Sequence, residues 1–308
     1  MENFNWKQYI ANYSDLRKNG IDTQKKAYKH YINFGKNENR TDLTLALLNF
    51  NACAFNVKGY KHLKEEQNFN ACAYTSGGIP KIIFKSSWHK RENMNIEIIN
   101  ALDNLKKLNP EYQIYYFDDT EMEESLKENT LVYNSYLKIK PSAFKSDLWR
   151  YYMLYKYGGC YSDIGHVNLE SFDNICEKNK YVIVKETDNI SIHNALICCV
   201  PNSEFMKKAI DLCVYNITNE LYGVSDIDIT GPRMLSRVNA CALNKFDAFN
   251  ETKILHHVVG KIPELNKIQF NGKVVVNTKF SNYYKIMYPD DKEDYHKLYL
   301  NKNVFKCF

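Results

Sequence analysis

The pattern of apolar and polar positions changes character twice along the chain. Trp6, Ile10, Tyr13 and Leu16 recur at helical spacing, Asn19-Gly20 interrupts them, and Ala27, Tyr31 and Phe34 resume the period before Gly35. Side chains three and four apart share one helix face, so residues 1–45 read as a small helical appendage. Residues 46–75 carry no sustained period and read as a linker. From Gly77 short β-rich runs alternate with longer helical ones, which argues for an α/β sheet. Strands are expected at 79–84, 112–117, 160–163, 181–184 and 195–200, and helices at 96–108, from Asp118 onward, at 142–157 and at 204–215. Thr230-Gly231-Pro232 reads as another helix start. Asn271-Gly272, between 267–270 and 273–276, is a hairpin signal.

One stretch stands out, Pro141 to Asp163, PSAFKSDLWRYYMLYKYGGCYSD. Ser142 to Tyr157 contains no Gly or Pro and is largely apolar and aromatic, as a buried helix is. Gly158-Gly159 supplies a left-handed stop, and a short strand then ends on Asp163. Asp147 and Arg150 are three residues apart and share a helix face. Two readings stay open on spacing alone: a plain helix ion pair with Asp163 capping a loop, or a polar site. As site residues, Arg150 and Asp163 are expected to be replaceable without loss of the fold.

Composition narrows the function classes. With 308 residues there is room for one large domain and an appendage. The net charge of +5 is mild, and no long Lys/Arg block suggests nucleic acid as a partner. Nine scattered cysteines without a C-x-x-C pair favour buried, reduced thiols and a cytoplasmic location, in host cytoplasm or a virion if the source is viral. No run is apolar and long enough to span a membrane. Sequons begin at Asn12, Asn39, Asn189, Asn216 and Asn250; in so Asn-rich a chain they read as chance.

In order, IPKIIFKSSW (79–88), NPEYQIYYFDD (109–119), AFKSDLWRYYMLYKYGGCYSD (143–163), HNALICCVPNSEF (193–205) and DITGP (228–232) resemble glycosyltransferase family 32, the sugar-binding-region transferases with a GT-A fold. Residues 6–40 also resemble a short helical module of viral and bacterial surface-polysaccharide proteins, a docking or packing unit. The resemblance implies a GT-A Rossmann-like sheet flanked by helices over 76–308. It implies transfer of a sugar from a UDP- or GDP-sugar to a hydroxyl of a glycan, lipid or protein, with retention. Asp147, Arg150 and Asp163 would be the catalytic set, and Trp88, Lys85, Tyr161, Asn194, Thr230 and Gly231 the donor-binding residues. Asp163 corresponds to the first Asp of the family's Asp-x-Asp, which helps place Mn²⁺ or Mg²⁺. The chain departs at the next carboxylate, where Gly165 stands. One carboxylate holds such an ion weakly, so the expected cation is nucleotide-dependent, on Asp163 with His166 as an extra ligand. The alternative reading is a non-catalytic nucleotide-sugar or glycan binder that lost its metal site.

Overall fold

The computed structural model describes residues 6–35, 73–90, 94–188, 191–243, 251–262, 265–289 and 294–306. Two compact units divide the chain, Met1–Gly59 and Tyr60–Phe308. In the first, α1 (Trp6–Asn12), α2 (Ser14–Lys18) and α3 (Gln24–His30) run on into a π-helical turn at Tyr31–Gly35. Tyr9, Ile10, Leu16 and Ala27 form its buried centre, with Trp6, Tyr13, Ile21 and Tyr31 packed around them. Phe34, expected on the same face, is 56% exposed. The π turn is wider than an α turn and rotates Phe34 off the apolar face. The linker reading falls on 46–75, of which only 73–75 are among the described residues.

The second unit holds a nine-stranded mixed sheet. Its strands are β1 (Ile82–Ser86), β2 (Gln113–Phe117), β3 (Gly159–Ser162), β4 (Val167–Asn168), β5 (Tyr181–Lys185), β6 (Ile192–Cys199), β7 (Thr252–Val258), β8 (Lys267–Phe270) and β9 (Lys273–Asn277). The spatial order is β2-β1-β3-β6-β5-β7-β8-β9-β4. β1 is parallel to both β2 and β3, and β5 to β7, while the other neighbours are antiparallel. The helices are α4 (Ile96–Leu108), α5 (Asp119–Leu126), α6 (Thr130–Lys138), α7 (Ser142–Tyr157), α8 (Phe172–Cys176), α9 (Glu204–Thr218), α10 (Pro232–Leu243), α11 (Tyr283–Met287) and α12 (Tyr295–Leu300). α4 and α7 match their expected limits. β4, β7 and the short C-terminal helices carried no recognisable period.

A core of Ile83, Cys160, Val182, Val184, Leu196, Cys198, Leu255, Ile268 and Val276 draws on seven strands and packs against Leu105, Phe172 and Ile175. Each aliphatic side chain fully buried there contributes about 1.5–3 kcal/mol. Cys160, Cys176, Cys198, Cys199 and Cys213 are free and buried, in keeping with the reduced-thiol reading. Asn216 is buried, and its amide donates to the carbonyls of Asp228 and Ile229. That sequon is therefore inaccessible in the folded chain.

The turn after α7 fixes where the site lies. Gly158 has φ 65° and Gly159 φ 89°, both in the left-handed region. A Cβ would also fall 2.6 Å from the Pro201 nitrogen at position 158 and 2.7 Å from the Ile82 carbonyl oxygen at 159. Glycine is thus required for conformation and for space. The turn feeds β3 between β1 and β6, so Asp163 emerges where these central strands end, the usual ligand edge of an open α/β sheet.

Candidate functional site

Buried α7 carries Arg150 to the floor of a cleft lined also by Ser86, Trp88, Ser146, Tyr161, Asp163, Tyr283, Met287 and Tyr288. Arg150 is 5% exposed, and every guanidinium nitrogen has a partner. Nε donates to the Ser146 carbonyl (3.2 Å), Nη2 to Ser146 Oγ (3.0 Å) and Nη1 to the Asn194 carbonyl (2.9 Å). Asp147 Oδ1 lies 3.4 Å from Nη2 and Asp163 Oδ1 lies 3.3 Å from Nη1. The guanidinium carbon sits 4.2 Å from the centre of the Tyr161 ring, within cation–π reach. One cation therefore joins two carboxylates that are sixteen positions apart.

The two carboxylates have different surroundings. Asp147 is sealed in: Oδ1 accepts from the Asn194 amide and Oδ2 from the Thr230 hydroxyl, both at 2.8 Å. Tyr151 completes this layer, its hydroxyl donating to the Thr230 carbonyl at 2.9 Å. Burial pushes the Asp147 pKa up despite Arg150 and these donors. Asp163 faces the cleft, where Tyr161 donates to its Oδ1 at 2.8 Å. Burial opposes its charge, but Arg150, His166 and Lys279 outweigh burial and hold the pKa at about 2. Asp163 is thus an ionised acceptor, with Oδ2 left for a ligand hydroxyl.

The structure brings Asp147, Arg150 and Asp163 together, and of the expected donor-binding residues Trp88 and Tyr161 line the cleft. Trp88 stacks on His89, with ring centres 3.7 Å apart, and its indole N–H donates to the Met287 carbonyl. Lys85, Asn194, Thr230 and Gly231 do not line the cleft. Lys85 lies under the floor, donating to Ser162 Oγ (3.0 Å) and the Asp163 carbonyl (2.9 Å). Its full burial drives its pKa down to about 7. Asn194 and Thr230 have their polar side chains committed to the Asp147 layer. Gly231 is buried, and a Cβ there would fall 3.2 Å from Ile227. This geometry predicts, against the expectation from sequence, that substitution of Arg150 destabilises the fold, because it would strand two carboxylates, one of them buried.

The residues around Asp163 do not suit the implied divalent cation. A Cβ on Gly165 would lie 2.4 Å and 2.8 Å from Tyr283 Cε2 and Cδ2, so this aromatic ring leaves no space for a carboxylate side chain. His166, the expected extra ligand, is buried with Nδ1 3.0 Å from Ser162 Oγ and does not line the cleft. That leaves Asp163, which already pairs with Arg150 at 3.3 Å and whose ionised form Lys279 also favours, and the set does not fit Mn²⁺ or Mg²⁺. Two other clusters could hold an ion, their candidate ligand atoms lying within 4.8 Å of one another: Cys160, Cys176 and Cys198, and Glu186, His193 and His257. In the latter, each imidazole Nδ1 is 2.6 Å from a different Glu186 oxygen. Neither cluster includes Asp163 or His166.

Tyr283, Met287 and Tyr288, which line the cleft, were missed in the sequence, as was Lys279, which lies against the Tyr283 ring. The run KFSNYYKIMY is rich in aromatic and basic residues but has no motif spacing.

Comparison with known proteins agrees with part of this picture. Residues 96–182 match the family described as glycosyltransferase sugar-binding region containing DXD motif. No curated protein matches the chain. Among solved structures the chain is similar to the PaToxG glycosyltransferase, with 17% identity and a TM-score of 0.41 over 52% of this chain and 67% of that one. Over 96–182, which include Asp147, Arg150 and Asp163, the chain is similar to the sugar-binding region of DXD glycosyltransferases.

Proposed function

We propose that this chain is a retaining, family 32-like glycosyltransferase with a GT-A-type sheet over 76–308, an appendage over 1–45 and a linker over 46–75. It would move a sugar from a nucleoside diphosphate donor to a hydroxyl of a glycan, lipid or protein, in a cytoplasmic setting. The observation that carries this reading is the Asp147–Arg150–Asp163 arrangement at the floor of an aromatic-lined cleft. Asp163 Oδ2 would accept from a donor sugar hydroxyl, and Trp88 would flank the base. Arg150 sets the charge and orientation of Asp163, while Asp147, Asn194 and Thr230 hold Arg150 in place. Retention would follow a front-face displacement, in which positioning and stabilisation of leaving-group charge provide the catalysis.

A panel of UDP- and GDP-sugars in thermal-shift assays tests donor binding. A ligand at 100 times its Kd stabilises the fold by about 2.7 kcal/mol. No shift with any donor would reject the reading. The rival, a non-catalytic binder, is favoured by one observation, the loss of the second carboxylate at Gly165. Slow hydrolysis of a bound donor, present in wild type and lost in Asp163→Asn, separates the enzyme from the binder.

A further inference from the structure

The register between β4 and β9 brings a second segment of the chain alongside Gly165. The pair is antiparallel, with Val167 opposite Asn277 and Asn168 opposite Val276. Continued by two residues, the same register sets Gly165 opposite Lys279. The Thr278 carbonyl oxygen lies 3.2 Å from a Cβ built on Gly165, so the segments remain close beyond the ladder. The Lys279 ammonium lies 3.9 Å from the centre of the Tyr283 ring, the ring that closes the space beside Gly165 and lines the cleft with Asp163.

We propose that the Lys279 ammonium, and not a divalent metal ion, neutralises the donor diphosphate, making donor binding and transfer at this site metal-independent. This rests on the glycosyltransferase reading above. Charge balance supports it. Two carboxylates and a dication sum to zero, and so do one carboxylate and one ammonium. Arg150 is balanced by Asp147, so a dication added beside Asp163 and Lys279 would find no protein charge left to compensate it. An ammonium also offers three N–H donors to phosphate oxygens, and the Tyr283 face stabilises it where water is scarce. The charges of Asp163 and Lys279 support each other, while burial lowers the lysine's pKa. A bound diphosphate would favour the charged form further.

In the reaction, the bond between the anomeric carbon and the diphosphate oxygen breaks, and its electron pair stays on the diphosphate. The acceptor oxygen bonds to the same carbon, and its proton passes to the leaving diphosphate. Lys279 takes no proton in this step; it offsets the charge on the departing oxygens.

The experiment titrates UDP, GDP and their hexose conjugates into the full chain, in EDTA and again with Mn²⁺, by calorimetry. Wild type is expected to bind one nucleoside diphosphate with affinities equal within about twofold in the two buffers. Lys279→Gln should weaken binding by roughly tenfold or more, as loss of a charge-assisted phosphate contact does, and Lys279→Arg should restore most of it. Nucleoside binding should be unchanged in Lys279→Gln, which also shows that the variant is folded. Diphosphate binding that requires Mn²⁺ and ignores Lys279→Gln would overturn this inference and leave the transferase reading intact. If no nucleotide binds in either buffer, both fail.

Discussion

The cleft has two walls, and they differ in how completely their polar groups are satisfied within the fold. On the helix wall, Asp147 is enclosed by Asn194, Thr230 and Arg150 and would keep these partners whatever enters the cleft. On the strand-end wall, Asp163 keeps an oxygen toward the cleft, Gly165 has no room for a side chain, and Lys279 lies on the Tyr283 ring. The first wall is a fixed scaffold for Arg150. The second is where the proposed exchange of counter-charge, a lysine ammonium for a metal ion, would take place. In the proposed transferase the walls are joined through Arg150 and through the Ser146–Tyr161 hydroxyl pair at 3.4 Å, so the handling of a diphosphate could change on one wall while Asn194 and Thr230 still hold Asp147 on the other.

The largest expected effect comes from removing that shared residue. Arg150→Ala leaves Asp147 buried without its counter-ion and Asp163 without its nearest one. Breaking a buried pair in this way costs about 3–5 kcal/mol. Urea denaturation should show a lower midpoint with an unchanged slope. A loss under 1 kcal/mol would mean that the helix wall is not held by Arg150, and the contrast between the walls would fail.

Next in size is Gly165→Asp, which restores the family's second carboxylate by sequence but not by space. The added Cβ meets Tyr283 at 2.4 Å, and overpacking of this kind typically costs 1–3 kcal/mol. Thermal unfolding should fall accordingly, and calorimetry should detect no new Mn²⁺ binding. Tyr283→Ala should recover part of the stability lost on Gly165→Asp, as coupled neighbours do. Tight Mn²⁺ binding by the single variant would show that the strand-end wall still has the family's geometry.

How much of this was legible in the sequence divides along the same line. The helix wall was readable because its signals are local. An uninterrupted apolar run, the Gly158-Gly159 stop and the Asp147/Arg150 spacing lie within eighteen residues, and the helix limits were met as expected. The Asn271-Gly272 hairpin was readable for the same reason, with φ of 49° and 79°. The strand-end wall was not, because Lys279 falls opposite Gly165 only when a two-residue ladder joining distant parts of the chain is extended. β7 was hidden by Lys253, His256 and His257, which break an apolar run. Lys253 is nevertheless buried, donating to the Asn174 carbonyl and pairing with Glu177. The resemblance implied donor binding by Lys85, and no local pattern in the sequence shows that this lysine is buried as a strut beneath Ser162 and Asp163.

The last expected effect is a difference in pH dependence between the two carboxylates on either side of Arg150. Asp163 has its folded pKa lowered to about 2, against an ordinary 3.8. Its contribution is complete above about pH 4 and is lost as pH falls toward 2. At 1.36 kcal/mol per unit it amounts to about 2 kcal/mol. Asp147 is displaced the other way: burial raises its folded pKa, so its charge costs stability above that pKa and the cost is relieved on acidification. Asp163→Asn should therefore remove an acid-side loss, and Asp147→Asn an acid-side gain. Denaturation midpoints between pH 6 and pH 2, compared with wild type, read both slopes. If the two variants change the profile with the same sign, the walls share one electrostatic environment and the division between scaffold and counter-charge does not hold.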